Sequence, residues 1–600
     1  MKVLQFFSLT LLAALATAVA VPRDHPLHVG DAGVVLVTGV GGRDKSGHVP
    51  VRREIRDLQT NFPDQWNVYI LGLRSFQLTD QSDPVSFYQI AGIHGRPYVP
   101  WQGVEGIPGK QSGYCPHSNA LFFGWHRAYL VLYEQELYRH IQQIAALFPE
   151  DLRERYISAA ENFRIPYWDW ALGASDTVPD VFVTPTISVV GTDGLPQTIP
   201  NPLYRYEFHP VIPGDFDDDF AHMNTTVRWP TSQGSAGVSQ DNKFISYSNG
   251  QSKTMHDNIA SGYANAGGMN RFSVAYLENI HGWVHFSIGG GDKPAGHMWP
   301  VQVSAFEPLF MLHHCQVDRL FELWIAANPD KYIEPQTVKD GTFTIEDNTV
   351  VDADTPLKPF WSTPAAFWTT NQVRDTTLLG YAYPETMRWN FSNDEMYGAH
   401  INATISQLYG SSARARLSQA AERGQGSDLA HLNTDDSFLD WSIDAEASSD
   451  DMPATFIVRF SFVGIFSSDP VVEVGSWTRL MSAGNVVNPN KMKRASTLAP
   501  NLKGSVSLTG SLMDDIVAQK LESLDAGAVV PYLKERLAWK VFAGDGTLIP
   551  HDRVQSLAVK VISTEVHIPS DPDKPLEYSD TPVYYPEITD GKGGSANAIV

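Results

Sequence analysis

Six hundred residues exceed what one compact core organises, so two or more domains are expected. Hydrophobic residues make up 43% and charged residues 18%, the balance of a globular chain, which excludes global disorder and collagen-like repeats. Forty-four basic against 67 acidic side chains leave a net charge of −23, a surface that repels phosphate and argues against nucleic acid or anionic membranes as partners.

The chain opens with Lys2, an apolar run from Val3 to Leu15 and the small residues Ala16 to Ala20. This order of charge, apolar centre and small-residue exit is a secretory signal peptide over residues 1–20, and it is too short for a membrane anchor. Three N-x-S/T sequons, at Asn224, Asn390 and Asn402, fit a secreted, extracellular glycoprotein. Secreted proteins usually pair their cysteines. Only Cys115 and Cys315 occur, which leaves at most one bridge and excludes a disulfide framework or a Cys-rich zinc module.

Residues 21–385 read as a mainly α domain. From Phe123 to Phe148 the apolar residues Trp125, Tyr129, Leu132, Tyr133, Leu137, Ile141 and Ile144 recur at helical spacing. A second helix is predicted over Ser273–Phe286 and a third over Pro308–Ala327, with Glu307 as N-cap and Pro308 at the first helical position. Between the first two, residues 170–270 are punctuated by Pro and Gly and are expected to be mostly surface loop. Residues 386–455 read as a polar linker, with a helix near 403–422 and an acidic stretch from Asp435 to Asp451. Residues 456–600 carry short alternating segments, such as those starting at Phe456, Leu537 and Leu557, and read as a β-rich C-terminal domain.

Chemistry concentrates in the histidines. His281-Gly-Trp-Val-His285 places two imidazoles on one helix face. Downstream stand His313 and His314; upstream stand His94, His117 and His126. Three histidines from each half of a helical bundle would hold two adjacent metal ions. Imidazole-only ligation suits copper, zinc, iron or nickel, and the missing H-E-x-x-H glutamate disfavours a zinc peptidase. His140, His209, His222, His256 and His297 belong to no pattern and read as structural or surface residues.

Several of these segments, in order, resemble the type-3 copper proteins: the tyrosinase, catechol oxidase and molluscan haemocyanin family. They are Val51-Arg-Arg-Glu-Ile-Arg-Asp-Leu, Cys115-Pro-His117, Pro166-Tyr-Trp-Asp-Trp170, Glu278-Asn-Ile-His281, His313-His314 and Tyr381-Ala-Tyr383. The resemblance covers residues 51–385. It implies a four-helix bundle binding two coppers as cofactor, the first through His94, His117 and His126, the second through His281, His285 and His314, with His313 a neighbour rather than a ligand. It further implies phenolic substrates with O2, and a thioether joining Cys115 to His117. A free thiol, or a bridge to Cys315, is the alternative for Cys115. Cys315 should face away from copper as a buried free thiol.

The departures from the family pattern shape the expected activity. Glu278 matches the carboxylate that holds a water for phenol deprotonation, but the residue after His281 is Gly282 where monophenol hydroxylases often carry Asn. Half of that relay favours oxidation of o-diphenols, with substituted monophenols secondary; a true tyrosinase or a haemocyanin-like oxygen carrier are the alternatives, and a zinc hydrolase a distant third. Phe286 after His285 offers an apolar ring suited to neutral aromatics, and Glu307 stands where Asp is usual, a poorer cap. The C-terminal domain is expected to cover the copper site and keep the enzyme latent.

Overall fold

The computed structural model describes residues 33–594, leaving out 174–176, 217–218, 292–293, 411, 424–428, 430–431, 433–435, 465–469, 482–500 and 572–573. The signal peptide and part of the acidic stretch lie outside the described residues. Helices α1 (Ile55–Asn61), α2 (Pro63–Gln77), α3 (Phe87–His94), α4 (Phe122–Ala146), α5 (Glu150–Glu161), α6 (Asp241–Asn265), α7 (Glu278–Gly289) and α8 (Leu309–Ala327) build the first domain. Helix α2 packs on α4, α4 on α8 and α8 on α7, which is the expected four-helix arrangement. Gly72 lets α2 approach: a Cβ there would lie 2.3 Å from Ile141 Cγ1 on α4.

Helix α4 was expected to be amphipathic, yet every residue from Phe122 to Leu137 is buried. A helix buried on all sides must neutralise its own polar groups. Arg127 and Glu134 do so through Asp318 and Arg52: Arg127 Nε donates to Asp318 at 2.6 Å and Arg52 Nη2 to Glu134 at 2.8 Å. Tyr381 and Tyr383 donate their hydroxyls to the same Asp318, at 2.8 and 2.6 Å. The Val51–Leu58 and Tyr381–Tyr383 segments thus meet around one buried carboxylate.

Two stretches differ from expectation. Residues 170–270 contain the hairpin β1 (Thr186–Val190) and β2 (Pro196–Pro200) and the 25-residue helix α6 rather than loop alone. Helix α6 buries Ser248, Ser252, Asp257, Asn258, Ser261 and Gly262 along with Phe244, Met255 and Ile259, so its packing face carries little apolar periodicity. The start of α8 is also one residue late: Leu309 is the first helical residue, and Glu307 Oε2 caps it by accepting the Leu309 N–H at 2.7 Å. The longer carboxylate also reaches Arg228 Nε at 2.8 Å with its other oxygen, so Glu307 ties the helix start to a buried cation.

After the small hairpins β3 (Gln336–Val338) with β4 (Thr349–Val351) and β5 (Pro356–Thr363) with β6 (Ala366–Thr369), the chain forms α9 (Asp394–Tyr409) and α10 (Ser412–Arg423). The C-terminal domain holds two antiparallel sheets. One runs β10 (Leu502–Ser507), β7 (Ser437–Ala447), β13 (Ala558–His567) and β14 (Glu577–Tyr578), with β15 (Val583–Tyr584) also on β13; the other runs β12 (Leu548–Ile549), β11 (Leu537–Ala543), β8 (Phe456–Phe462) and β9 (Val472–Arg479). Helices α11 (Thr509–Val517) and α12 (Ala526–Arg536) pack on them. Strand β7 lies inside residues 386–455 and pairs on both edges, so the domain begins earlier than the expected residue 456 and only part of 386–455 is a connection. Its burial alternates except at the adjacent pair Asp440 and Trp441, both buried, and acids stand on both faces, at Asp440 and at Asp444 and Glu446, which masks the period-two pattern.

Each domain has its own apolar core. Ile457 and Leu480 of the C-terminal domain nevertheless pack into the core of the first. Among the described residues, no helix is long and apolar enough to cross a membrane.

Candidate metal centre

Six imidazoles converge in the helical bundle. His94 ends α3, His117 sits on the loop before α4, His126 lies in the second turn of α4, His281 and His285 are one turn apart on α7, and His314 is on α8. A π-helical turn over Phe272–Leu277 leads into α7 and sets the face on which Glu278, His281 and His285 project. In the first triad the ring centroids are 5.5 Å apart for His94–His117 and His94–His126, and 5.2 Å for His117–His126. In the second they are 4.5 Å for His281–His285, 4.9 Å for His281–His314 and 5.7 Å for His285–His314. The triads face one another, with His126 stacked on His314 at 4.6 Å and His117 on His281 at 5.8 Å.

None of the six is more than 3% exposed. Burial pushes the pKa of His285 down to about 4 and that of His126 to about 3, and it drives the other four downward as well. The rings are therefore neutral, the form in which imidazole offers a lone pair. The Nδ1 atoms of His94, His126 and His285 face the carbonyls of Val301, Phe122 and Met298 at 3.1, 2.7 and 2.6 Å. A neutral ring donating from Nδ1 keeps Nε2 as the lone-pair nitrogen. Among the described residues, neither nitrogen of His117, His281 or His314 has a hydrogen-bond partner, nor does His285 Nε2. Unpartnered buried acceptors aimed at one another fit a metal cation, and the all-imidazole donor set fits copper.

Glu278 is buried on the first turn of α7. One carboxylate oxygen accepts the Ser118 N–H, the other has no partner among the described residues, and burial raises its pKa to about 8 against the lowering pull of that N–H and of Arg479. Ser118 follows His117 with a left-handed φ of 58°, a conformation that costs energy outside glycine and aims its N–H at Glu278. Gly282 does not open into empty space. A Cβ there would lie 2.3 Å from Thr478 Oγ1, because Thr478 of β9 is clamped to Asn279 by N–H···Oδ1 and Oγ1–H···O bonds of 2.8 and 2.5 Å. Phe286 is packed edge-on against Trp229 and Trp299, with the Arg459 guanidinium 5.7 Å above its ring. The C-terminal domain thus covers this face of α7.

Cys115 is buried, and its Sγ lies within 4.8 Å of ring nitrogens of both His94 and His117. Burial raises its pKa and keeps it a thiol. Cys315 is buried on the far side of α8, where Tyr383 donates to its carbonyl, and the two cysteines are not joined. His313 is wholly buried beside His281 and His285. Of the remaining histidines, His140, His256 and His297 each bond a neighbouring group, while His209 and His222 are at the surface. Asn224, Asn390 and Asn402 are all exposed.

Sequence reasoning missed several residues of the site. Phe310 lies tilted against His314 at 4.2 Å and touches His94 and His285, while Phe122 touches His117, His126 and His281, so each ring packs against members of both triads. Their helical spacing beside the histidines was the available signal. Thr478 and Arg479 come from the other domain, and no local pattern brings residues 361 positions apart together, as in Arg479 Nε to Ser118 Oγ at 3.3 Å.

Comparison with known proteins places these features. Residues 84–327 match the family described as the common central domain of tyrosinase, and residues 440–561 match the tyrosinase C-terminal domain. The chain is 33% identical to a tyrosinase of Neurospora crassa, over 93% of this chain and 97% of that one. It is 30% identical to polyphenol oxidase 2 of Agaricus bisporus, over 90% and 96%. Among solved structures it resembles a mushroom tyrosinase crystallised with latent and active forms together, with a TM-score of 0.75, 27% identity and coverage of 92% and 98%.

Proposed function

The chain belongs to the tyrosinase family of type-3 copper proteins, and from that premise we propose that it is a secreted enzyme using two copper ions and O2 to oxidise o-diphenols to o-quinones. It is an oxidoreductase acting on phenols, like the tyrosinase and polyphenol oxidase relatives that it matches nearly end to end. The observation that carries the finer reading is the pair of facing, buried, neutral imidazole triads.

His94, His117 and His126 would hold the first copper and His281, His285 and His314 the second. When bound, the pair supplies the two-electron chemistry that couples O2 to phenol oxidation. The carbonyls of Val301, Phe122 and Met298 hold three of the rings in a fixed orientation. A thioether from Cys115 would lock His117 against rotation in the same way. Phe122 and Phe310 wall the paired triads with apolar rings. Glu278, with one oxygen occupied by Ser118 and one free, is the group placed to accept a phenolic proton, directly or through a water. Gly282 offers no side chain to orient that water, and neighbouring Asn279 is committed to Thr478 and Ser505. The acidic protons of an o-diphenol need less help than that of a monophenol, so diphenol oxidation dominates. The exposed sequon asparagines Asn224, Asn390 and Asn402 support glycosylation of the exported chain.

The C-terminal domain is proposed to keep the enzyme latent. Thr478 over Gly282, Arg459 over Phe286 and Leu480 in the catalytic core support this reading, since all three occupy the face by which a phenol would reach the second triad. The test is a panel of mono- and diphenols given to the copper-loaded protein before and after limited proteolysis. Catechols should turn over steadily after trimming and tyrosine slowly or not at all. Tyrosine hydroxylation at a rate comparable with catechol oxidation overturns the specificity, and full activity of the uncut chain overturns latency.

A further inference from the structure

His313 is the one motif histidine for which the copper reading has no task, and its surroundings do not suit a structural residue. It is wholly buried, and neither ring nitrogen has a hydrogen-bond partner among the described residues. The buried His140 and His297 and the half-buried His256, all outside the triads, behave differently. His140 faces Ser75 and Thr79, His256 faces two carbonyls, and His297 accepts the Val227 N–H. A buried imidazole with no partner at either nitrogen costs stability, and in a native fold it calls for an unseen ligand. His117, His281 and His314 share that condition.

The geometry around His313 is that of a donor. Its ring centroid lies 5.2 Å from His281, 5.0 Å from His285 and 5.0 Å from His314, as close as the second triad's own members lie to one another. One nitrogen from each of His281, His285, His313 and His314 falls within a mutual 4.8 Å. His314 also stacks on His126 and so sits between the two triads, whereas the recorded histidine contacts of His313 are all with the second group. Among the described residues the first triad has no matching fourth imidazole: the group formed by His94 and His117 is completed by the Cys115 sulfur.

We propose that His313 completes a four-imidazole acceptor with His281, His285 and His314, which captures the first copper ion to enter the protein before the paired site fills. The acceptor rests on the dicopper reading and adds an order of loading to it. Four imidazoles suit a single copper ion of either oxidation state, and the first triad offers only three, which makes it the poorer competitor for the first ion. Capture involves no change of oxidation state: the ion exchanges water for imidazole nitrogens. Filling the first site then draws His314 toward His126, and His313 is left as the ring that can let go.

The test is a copper titration of the metal-free full-length chain, read by pulsed EPR at half an equivalent of Cu(II) and by copper analysis at saturation. The wild type should show four coupled imidazole nitrogens at half an equivalent. His313→Phe should show three, should lose the first copper to a competing chelator at least tenfold more readily, and should still saturate at two coppers per chain. Three nitrogens in the wild type, or an unchanged count and affinity in His313→Phe, overturns the acceptor. The wild-type nitrogen count decides the matter even if the variant fails to fold. Saturation at one copper with four nitrogens would uphold the acceptor while overturning the dicopper reading, and two coppers with three nitrogens at half loading would do the reverse.

Discussion

Two buried carboxylates in the bundle illustrate opposite uses of the same functional group. Asp318 receives Arg127, Arg52, Tyr381 and Tyr383. Burial alone would raise its pKa, but these partners outweigh it and hold it below the usual carboxylate range. A depressed native pKa contributes stability that is present above the unfolded value near 3.9 and is lost as pH falls through the native one. Removing one member of a buried ion network leaves the others uncompensated, at a cost of roughly 3–5 kcal/mol. Asp318→Ala should therefore lower unfolding stability by about that amount at pH 7, with the gap to wild type narrowing below about pH 4, as denaturant titrations across pH would read. A loss under about 1 kcal/mol would mean that the arginines find other partners. Glu278 has only one N–H donor, keeps a free oxygen and has its pKa raised to about 8. Glu278→Gln keeps the shape and removes the base, so above about pH 8, where the carboxyl is ionised, the trimmed enzyme should lose about 10²-fold or more in kcat on phenols with its copper content unchanged. A rate within twofold of wild type would assign the proton to another acceptor. Cys115 is the third test at this scale: the peptide containing Cys115 and His117 should weigh two hydrogens less than its sequence, and an unmodified thiol there removes the clamp on His117.

At the scale of elements, α7 serves two masters. One face carries His281 and His285 to the centre; another, at Asn279 and Gly282, receives β9 through Thr478. The first face was legible in the sequence because i,i+4 histidines need only a helix to be brought together. The second was not, since Gly282 means an absent side chain until the partner from residue 478 is seen. The same distinction runs through the fold. Helix α4, α8 and strands β8, β11 and β13 announce themselves by apolar periodicity, whereas α6 packs through Ser, Asn and Gly, and β7 alternates with acids, so both passed as loop or linker. Gly282 also yields a prediction about elements rather than chemistry. Gly282→Asn places a side chain where Thr478 Oγ1 stands, and overpacking of this kind costs about 1–3 kcal/mol. In the uncut chain the substitution should loosen β9, seen as faster proteolysis and higher basal activity. In the trimmed enzyme it should cost no stability and should raise tyrosine hydroxylation. Equal protease resistance in Gly282→Asn and wild type would place β9 elsewhere in solution.

The whole molecule is two cores joined by a mostly polar seam. Beyond the Asn279–Thr478 clamp, Lys253 pairs with Asp514 at 2.6 Å, Lys339 with Asp450 at 2.8 Å and Arg479 with Asp340 at 2.6 Å, while Tyr247 donates to Glu473 and Trp299 to the Gly544 carbonyl. The lysine pairs are partly exposed and are worth about 0–1 kcal/mol each, falling with salt. The apolar part of the seam is small: Ile457 and Leu480 are the C-terminal residues buried in the catalytic core, with Phe542 partly buried against it. A seam of this composition holds two folded domains together without fusing their cores, so it can open while each domain stays folded. Protease should cut first in the part of residues 386–455 that precedes β7, and the two fragments should stay associated until mild SDS or high salt weakens the seam. Activity should therefore rise in two stages, little on cutting alone and steeply when the fragments part. Calorimetry of the uncut chain should show the C-terminal domain unfolding separately from the copper-bearing bundle, with only the latter transition moving on copper removal. A single transition that shifts as a unit with copper would instead show one cooperative body, and latency would then have to be relieved by a local movement of β9 rather than by separation of the domains.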